Sequence, residues 1–195
     1  MRKSPSLTAR TVLTPQPADQ EHARCYRACD RRFPFFWSDN SQEPGRWHGE
    51  GDGPCHYLAT TADGAWAEVL RHREVHELDE LLDLELSIWE LEVPVPTAQP
   101  QLDLGHHTGD VSSYPACRDE ARRIRAAGHE SLRAPAAALV SGVAELSGVI
   151  GGEQVVVGSA RNETYVFFSG PDRLVGAPIA EGHPNPAVME DVRYL

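Results

Sequence analysis

The sequence predicts a single α+β domain built mainly from antiparallel strands. Strand-like and helix-like stretches mix along the chain without a strict βαβ rhythm. The length of 195 residues favours one domain, and a hydrophobic share of 41% is enough for a real core. Two late apolar runs, Val155-Val156-Val157 and Thr164-Tyr165-Val166-Phe167-Phe168, read as strands. Only Gly158 to Glu163 lie between them, the length of a loop or a hairpin.

Residues 1–20 are polar and dotted with proline, so they read as a mobile or loosely docked arm. A strand is expected over residues 23–28. The aromatic cluster Phe33-Pro34-Phe35-Phe36-Trp37 follows, read as a loop tucking its rings into the core, with a pocket wall as the other reading. Residues 38–54 are rich in glycine, proline and polar side chains and form a loop. A short strand is expected over residues 55–60. Asp63 is the expected N-cap of a helix running to about Arg73. Trp66, Val69, Leu70 and Arg73 share one stripe of that helix, with the apolar members facing the core. Glu68 falls off the stripe, beside Ala65 and His72, and is free to face a cleft.

Leu84, Leu86 and Ile88 alternate with polar residues, and Trp89, Leu91 and Val93 do so in the opposite phase. A phase flip inside one strand predicts a bulge, or a centre buried on both faces. The many acidic residues around it belong to a solvated surface. Residues 94–113 read as a loop. A helix is expected from near Pro115, with Cys117, Ala121 and Ile124 on one side and Gly128 ending it. The domain proper spans residues 21–175. The tail, 176–195, either packs on the body or reaches a partner.

The formal net charge is -11. That argues against direct binding of nucleic acid or of an anionic membrane. An anionic small ligand remains compatible, because clustered arginines outweigh the mean charge locally. Lys3 is the sole lysine, so the basic residues are nearly all arginine. No apolar run is long enough to span a membrane, and no apolar segment follows Arg2 and Lys3 as a signal peptide requires. A cytoplasmic location is expected. Cys25, Cys29, Cys55 and Cys117 are too few and too irregular for a secreted disulfide framework.

Several familiar chemistries lack their residues. Cys25-x3-Cys29, Cys55-His56 and His106-His107 do not make the paired knuckles of a zinc site, so no metal is expected. Gly49-Glu50-Gly51-Asp52-Gly53 lacks the lysine and hydroxyl of a P-loop. There is no Rossmann fingerprint and no G-x-S-x-G. What stands out is a turn, a strand and a helix in close succession: Gly45-Arg46-Trp47, then Tyr57-Leu58-Ala59, then Ala65-Trp66-Ala67-Glu68. An arginine binds phosphate oxygens in a planar fork, a tyrosine packs on a flat ring, and a carboxylate stabilises positive charge developing on a sugar. Together they point to a site that breaks the glycosidic bond of a dinucleotide.

With Tyr26-Arg27 ahead of them, and Gly128 and Pro135-Ala136-Ala137 behind, these segments resemble the RES family in order and spacing. The resemblance spans roughly residues 25–168. It implies a fold similar to ADP-ribosyltransferases and an enzyme that consumes NAD+ as substrate, needing no cofactor, by cleaving the nicotinamide–ribose bond. It casts Glu68 and Arg46 as catalytic residues, and Arg27, Arg46, Trp47, Tyr57 and position 136 as NAD-binding ones. It also implies a toxin paired with a helix-turn-helix (Xre-type) antitoxin. Where the family carries its serine, this chain has Ala136. Two other readings stay open: an ADP-ribosyltransferase acting on a protein or a metabolite, and a non-catalytic NAD-binding member, which Ala136 would favour.

Overall fold

The computed structural model describes residues 21–30, 42–150, 153–168 and 174–195. The expected arm (1–20) and the aromatic cluster (33–37) lie outside the described residues. The strands are β1 (His22–Cys29), β2 (His56–Ala59), β3 (Leu86–Pro94), β4 (Ser131–Pro135), β5 (Val143–Ile150), β6 (Glu153–Arg161), β7 (Glu163–Phe167) and β8 (Val175–Gly182). The helices are α1 (Ala62–Arg73), α2 (Leu78–Leu82), α3 (Leu104–Thr108) and α4 (Tyr114–Ala126), with short 3-10 turns at Val111–Ser113 and Pro186–Asp191. Six strands form one sheet in the order β4-β7-β2-β1-β3-β8, and β5 and β6 form a separate two-stranded ribbon. Every pairing is antiparallel. The α+β expectation holds.

β1 and β3 pair along their length, from His22 opposite Pro94 to Cys29 opposite Ser87. The register between β3 and β8 shifts between Ile88 and Trp89, the bulge that the phase flip predicts. The tail packs on the body: β8 extends the sheet beyond β3, and Val188 of the last 3-10 turn is buried in the cluster that α1 covers. α4 buries Cys117, Ala121 and Ile124 against Trp47, Leu132 and Val166. Gly128 follows it with a φ of 89°, a left-handed stop. A third cluster on the sheet unites Cys25, Leu58, Leu91, Val93, Tyr165 and Phe167.

Three local expectations need correction. The N-cap of α1 is Thr61, not Asp63. Thr61 is extended (φ -136°, ψ 152°), and its Oγ1 accepts from the Gly64 N–H at 3.1 Å. Asp63 sits in the first turn instead, where its charge favours the helix dipole. On the same helix Trp66 and Leu70 are buried as expected, and of its arginines Arg71 is buried and Arg73 exposed. Residues 94–113 are not all loop. They contain α3 and a 3-10 turn, nucleated by Asp103 and Asp110, whose carboxylates accept from His106 N–H and Ser112 N–H. Finally, β6 and β7 are not a hairpin. β6 pairs with β5, whereas β7 enters the main sheet between β4 and β2.

Asn162 alone separates β6 from β7, and it explains why the chain passes from ribbon to sheet without turning back. Its N–H donates to Gly142 O at 2.9 Å, and its carbonyl accepts from Ala136 N–H at 3.2 Å. Its side-chain Oδ1 accepts from the Thr61 hydroxyl at 2.9 Å. The same side chain crowds Gly64, where an added Cβ would come within 2.3 Å of the amide. Gly64→Ala therefore sets a helix-propensity gain of about 1 kcal/mol against overpacking of about 1–3 kcal/mol. Net destabilisation is expected, read as a lower urea midpoint. A higher midpoint would mean that Asn162 swings away at no cost.

Candidate active site

The turn before β2 is tied down from three sides. Gly45 N–H donates to His48 O at 3.0 Å. The Tyr57 hydroxyl, on β2, accepts from Trp47 N–H at 2.9 Å and lies 2.9 Å from His48 Nδ1. That hydroxyl keeps both its proton and a lone pair for His48, and the direction of their bond follows the His48 tautomer. Burial holds the Tyr57 pKa well above its ordinary value and pushes that of His48 down, so both stay neutral. Gly45 is required here: a Cβ would lie 2.7 Å from the Tyr57 oxygen and 2.9 Å from the His48 ring.

This turn drives Arg46 inward. The side chain is only 8% exposed, and its Nη1 donates to His106 O and to Ser113 Oγ, both at 2.9 Å. Its Nη2 donates to Gly109 O at 2.7 Å, and its Cζ lies 4.6 Å from the centre of the Tyr114 ring. Arg46 thus holds the segment from α3 to α4 as a wall. Two of its five N–H groups remain outside these bonds. The neighbouring His107 donates its Nε2 proton to Leu102 O at 3.1 Å, since a carbonyl only accepts. Its ring lies 5.6 Å from that of Trp47, and burial lowers its pKa.

Between this turn, β1, β2 and α1 lies a cavity of about 520 Å³, within the range of roughly 300–1,000 Å³ usual for small-molecule sites. Arg27, Arg46, Trp47, Tyr57 and Glu68 all line it. Glu68 projects from α1 as expected. It is partly exposed, and its Oε2 lies 3.5 Å from His72 Nε2 one turn on. Arg27 comes from β1, beside Tyr26. Ala136 is different. It is buried, its N–H bonded to Asn162 O, and it is its neighbours Pro135 and Ala137 that line the cavity.

Arg71 is a lining residue that the sequence pattern did not single out. It is 1% exposed and donates to Ala137 O at 2.7 Å, Arg193 O at 2.9 Å and Gly109 O at 3.2 Å. A signal was present. Ala67, Leu70 and Arg71 sit at i, i+3 and i+4, and all three are buried. An arginine that completes a core stripe must find acceptors inside. Burial is also what sets the thiols of Cys25 and Cys55 apart from reactive cysteines, pushing each up to about 12.

The RES domain family matches residues 24–145. No curated protein matches in sequence. Among solved structures, the chain is similar to one from the M. tuberculosis MbcT–MbcA toxin–antitoxin complex, with a TM-score of 0.55 over 88% of each chain and 16% identity. At that identity the likeness speaks for the fold. The family match covers more than half of the chain and includes the turn, strand and helix that build the cavity, so this protein belongs to the RES domain family.

Proposed function

We propose that this chain degrades NAD+ by cleaving the bond between nicotinamide and ribose, as the toxin of a toxin–antitoxin pair. The observation that carries the reading is the charge layout of the cavity. In a protein of net charge -11, Arg27, Arg46, Arg71 and Arg73 line it, against the carboxylates of Glu43 and Glu68. NAD+ carries an anionic diphosphate at its middle and a cationic pyridinium ring at one end. A cavity with guanidinium groups and an inward carboxylate suits both.

In this mechanism Arg27 and the remaining N–H groups of Arg46 hold the diphosphate, with charge-assisted bonds of about 1.5–3 kcal/mol each. Trp47 and Tyr57 pack against the nicotinamide and its ribose. As the bond from the ribose carbon to the ring nitrogen breaks, its electron pair goes to the pyridinium and nicotinamide leaves neutral. No general acid is needed. The positive charge moves to the ribose, where Glu68 stabilises it. An acceptor then attacks, and if it is water it loses a proton to the solvent. The test is release of nicotinamide from NAD+ by the purified protein; no release at stoichiometric enzyme would overturn the reading.

Ala136 favours a weakened or non-catalytic member, and a substitution decides it. Ala136→Ser is expected to raise nicotinamide release about tenfold, the worth of one hydrogen bond of roughly 1–1.5 kcal/mol. An unchanged rate would put position 136 outside the site. Transfer to a protein or metabolite instead of water would appear as an ADP-ribose mass increment on the target. A helix-turn-helix antitoxin, and a cytoplasmic site of action where NAD+ is abundant, belong to the same proposal. Among the described residues, no helix is long and apolar enough to cross a membrane.

A further inference from the structure

The carbonyl oxygen of Gly109 accepts from two guanidinium groups, Arg46 Nη2 at 2.7 Å and Arg71 Nη2 at 3.2 Å. The carbonyl oxygen of Ala137 also accepts from two, Arg71 Nη1 at 2.7 Å and Arg193 Nη1 at 3.1 Å. Arg71 is therefore the middle link of a chain of three cations joined through two neutral oxygens. A carbonyl has two lone pairs, so the hydrogen bonding is satisfied. The charge is not. Their hydrogen bonds run to carbonyls and to the Ser113 hydroxyl, with the Cys117 thiol a further partner of Arg46. Arg46 and Arg71 are buried and Arg193 is half-buried, and buried cations normally meet a carboxylate. The carboxylate of Glu68, one turn before Arg71 on α1, attracts it from a distance but has His72 as its contact. Repulsion from Arg46 adds to the burial that lowers the Arg71 pKa.

Two of the three cations, Arg46 and Arg71, line the cavity. We propose that Arg71 is a positioning residue of the site: through the shared Gly109 carbonyl it fixes the aim of Arg46 at a diphosphate-class anion, whose charge is compensated by the two buried guanidinium groups. Its grip on Ala137 O fixes the opposite wall at the same time. The seat itself requires only an anion of this class. That the anion is the diphosphate of NAD+ rests on the reading above.

Calorimetry on the full chain, with inorganic pyrophosphate and with ADP-ribose over a range of salt, tests this. The parent is expected to bind both, more weakly as salt rises. Arg71→Met is expected to weaken both about tenfold and to flatten the salt dependence. Arg71→Lys is expected to restore the salt dependence while leaving turnover low, because an ammonium cannot span the two carbonyls. Affinity and salt dependence unchanged in Arg71→Met, with only the melting temperature lowered, would make Arg71 a structural staple and overturn the proposal. Should the Met variant not fold, guanidinium NMR signals of the intact parent decide instead. Movement of the Arg46 and Arg71 signals on adding pyrophosphate supports the proposal, and a still Arg71 signal overturns it. Pyrophosphate binding without ADP-ribose binding keeps the seat and removes NAD+ as its ligand. Binding of neither removes the seat, while nicotinamide release still judges the enzyme reading.

Discussion

Glu68→Gln is expected to lower nicotinamide release by about 10²–10⁴-fold, the usual worth of a carboxylate acting on the reacting centre and equal to roughly 3–5 kcal/mol of barrier. The reason is electrostatic. The amide keeps the size and shape of the side chain but removes the negative charge that, in the proposed mechanism, faces the developing oxocarbenium ion. The fold should be indifferent. Glu68 is partly exposed, and its ion-pair contact is His72 at 3.5 Å, an exposed residue on the same helix. Pairs of this kind stabilise by about 0.3–0.5 kcal/mol. A variant with unchanged melting and lost turnover would fit the role. A variant as active as its parent would remove Glu68 from the mechanism, whatever else the cavity binds.

Replacing Arg46 by methionine is expected to cost both stability and activity. The apolar stem is kept, but three hydrogen bonds to His106 O, Ser113 Oγ and Gly109 O are lost. The Gly109 carbonyl keeps Arg71, and the His106 carbonyl keeps only a contact from the Cys117 thiol at 3.3 Å. Buried acceptors left short of donors, together with the lost stacking on Tyr114, suggest a loss of about 2–4 kcal/mol. For a chain of this size that lowers the melting temperature by roughly 5–15 °C. Lysine should not rescue it, because one ammonium cannot reproduce the fork that spans α3 and the turn after it. A loss below about 0.5 kcal/mol, within the range of an ordinary surface change, would show that the wall stands without this arginine.

Much of the site was legible in the sequence because its residues lie on consecutive local elements. The turn at Gly45, the strand carrying Tyr57 and the helix carrying Glu68 are neighbours in the chain, and their sequences have the right turn chemistry and periodicity. The phase flip in β3 was readable for the same reason, since a bulge leaves its mark within one strand. What could not be read depends on partners distant in sequence. Thr61 outcompetes Asp63 as the cap because Asn162, about a hundred residues on, holds its hydroxyl. Arg71 was not picked out, although its place on the buried stripe was readable, because its acceptors, Gly109, Ala137 and Arg193, belong to other segments. β6 and β7 read as strands joined by a loop or a hairpin, because spacing reports distance along the chain, not which neighbour a strand chooses.

The order of the strands bears on how the protein is made. β2 supplies Tyr57, yet one of its two neighbours is β7, with Leu58 facing Tyr165. Until that distant stretch has left the ribosome, β2 has a bare hydrogen-bonding edge. Such long-range closure makes for slow folding. A nascent polypeptide that still lacks β7 therefore has no complete pocket, since Thr164 of that strand belongs to its lining.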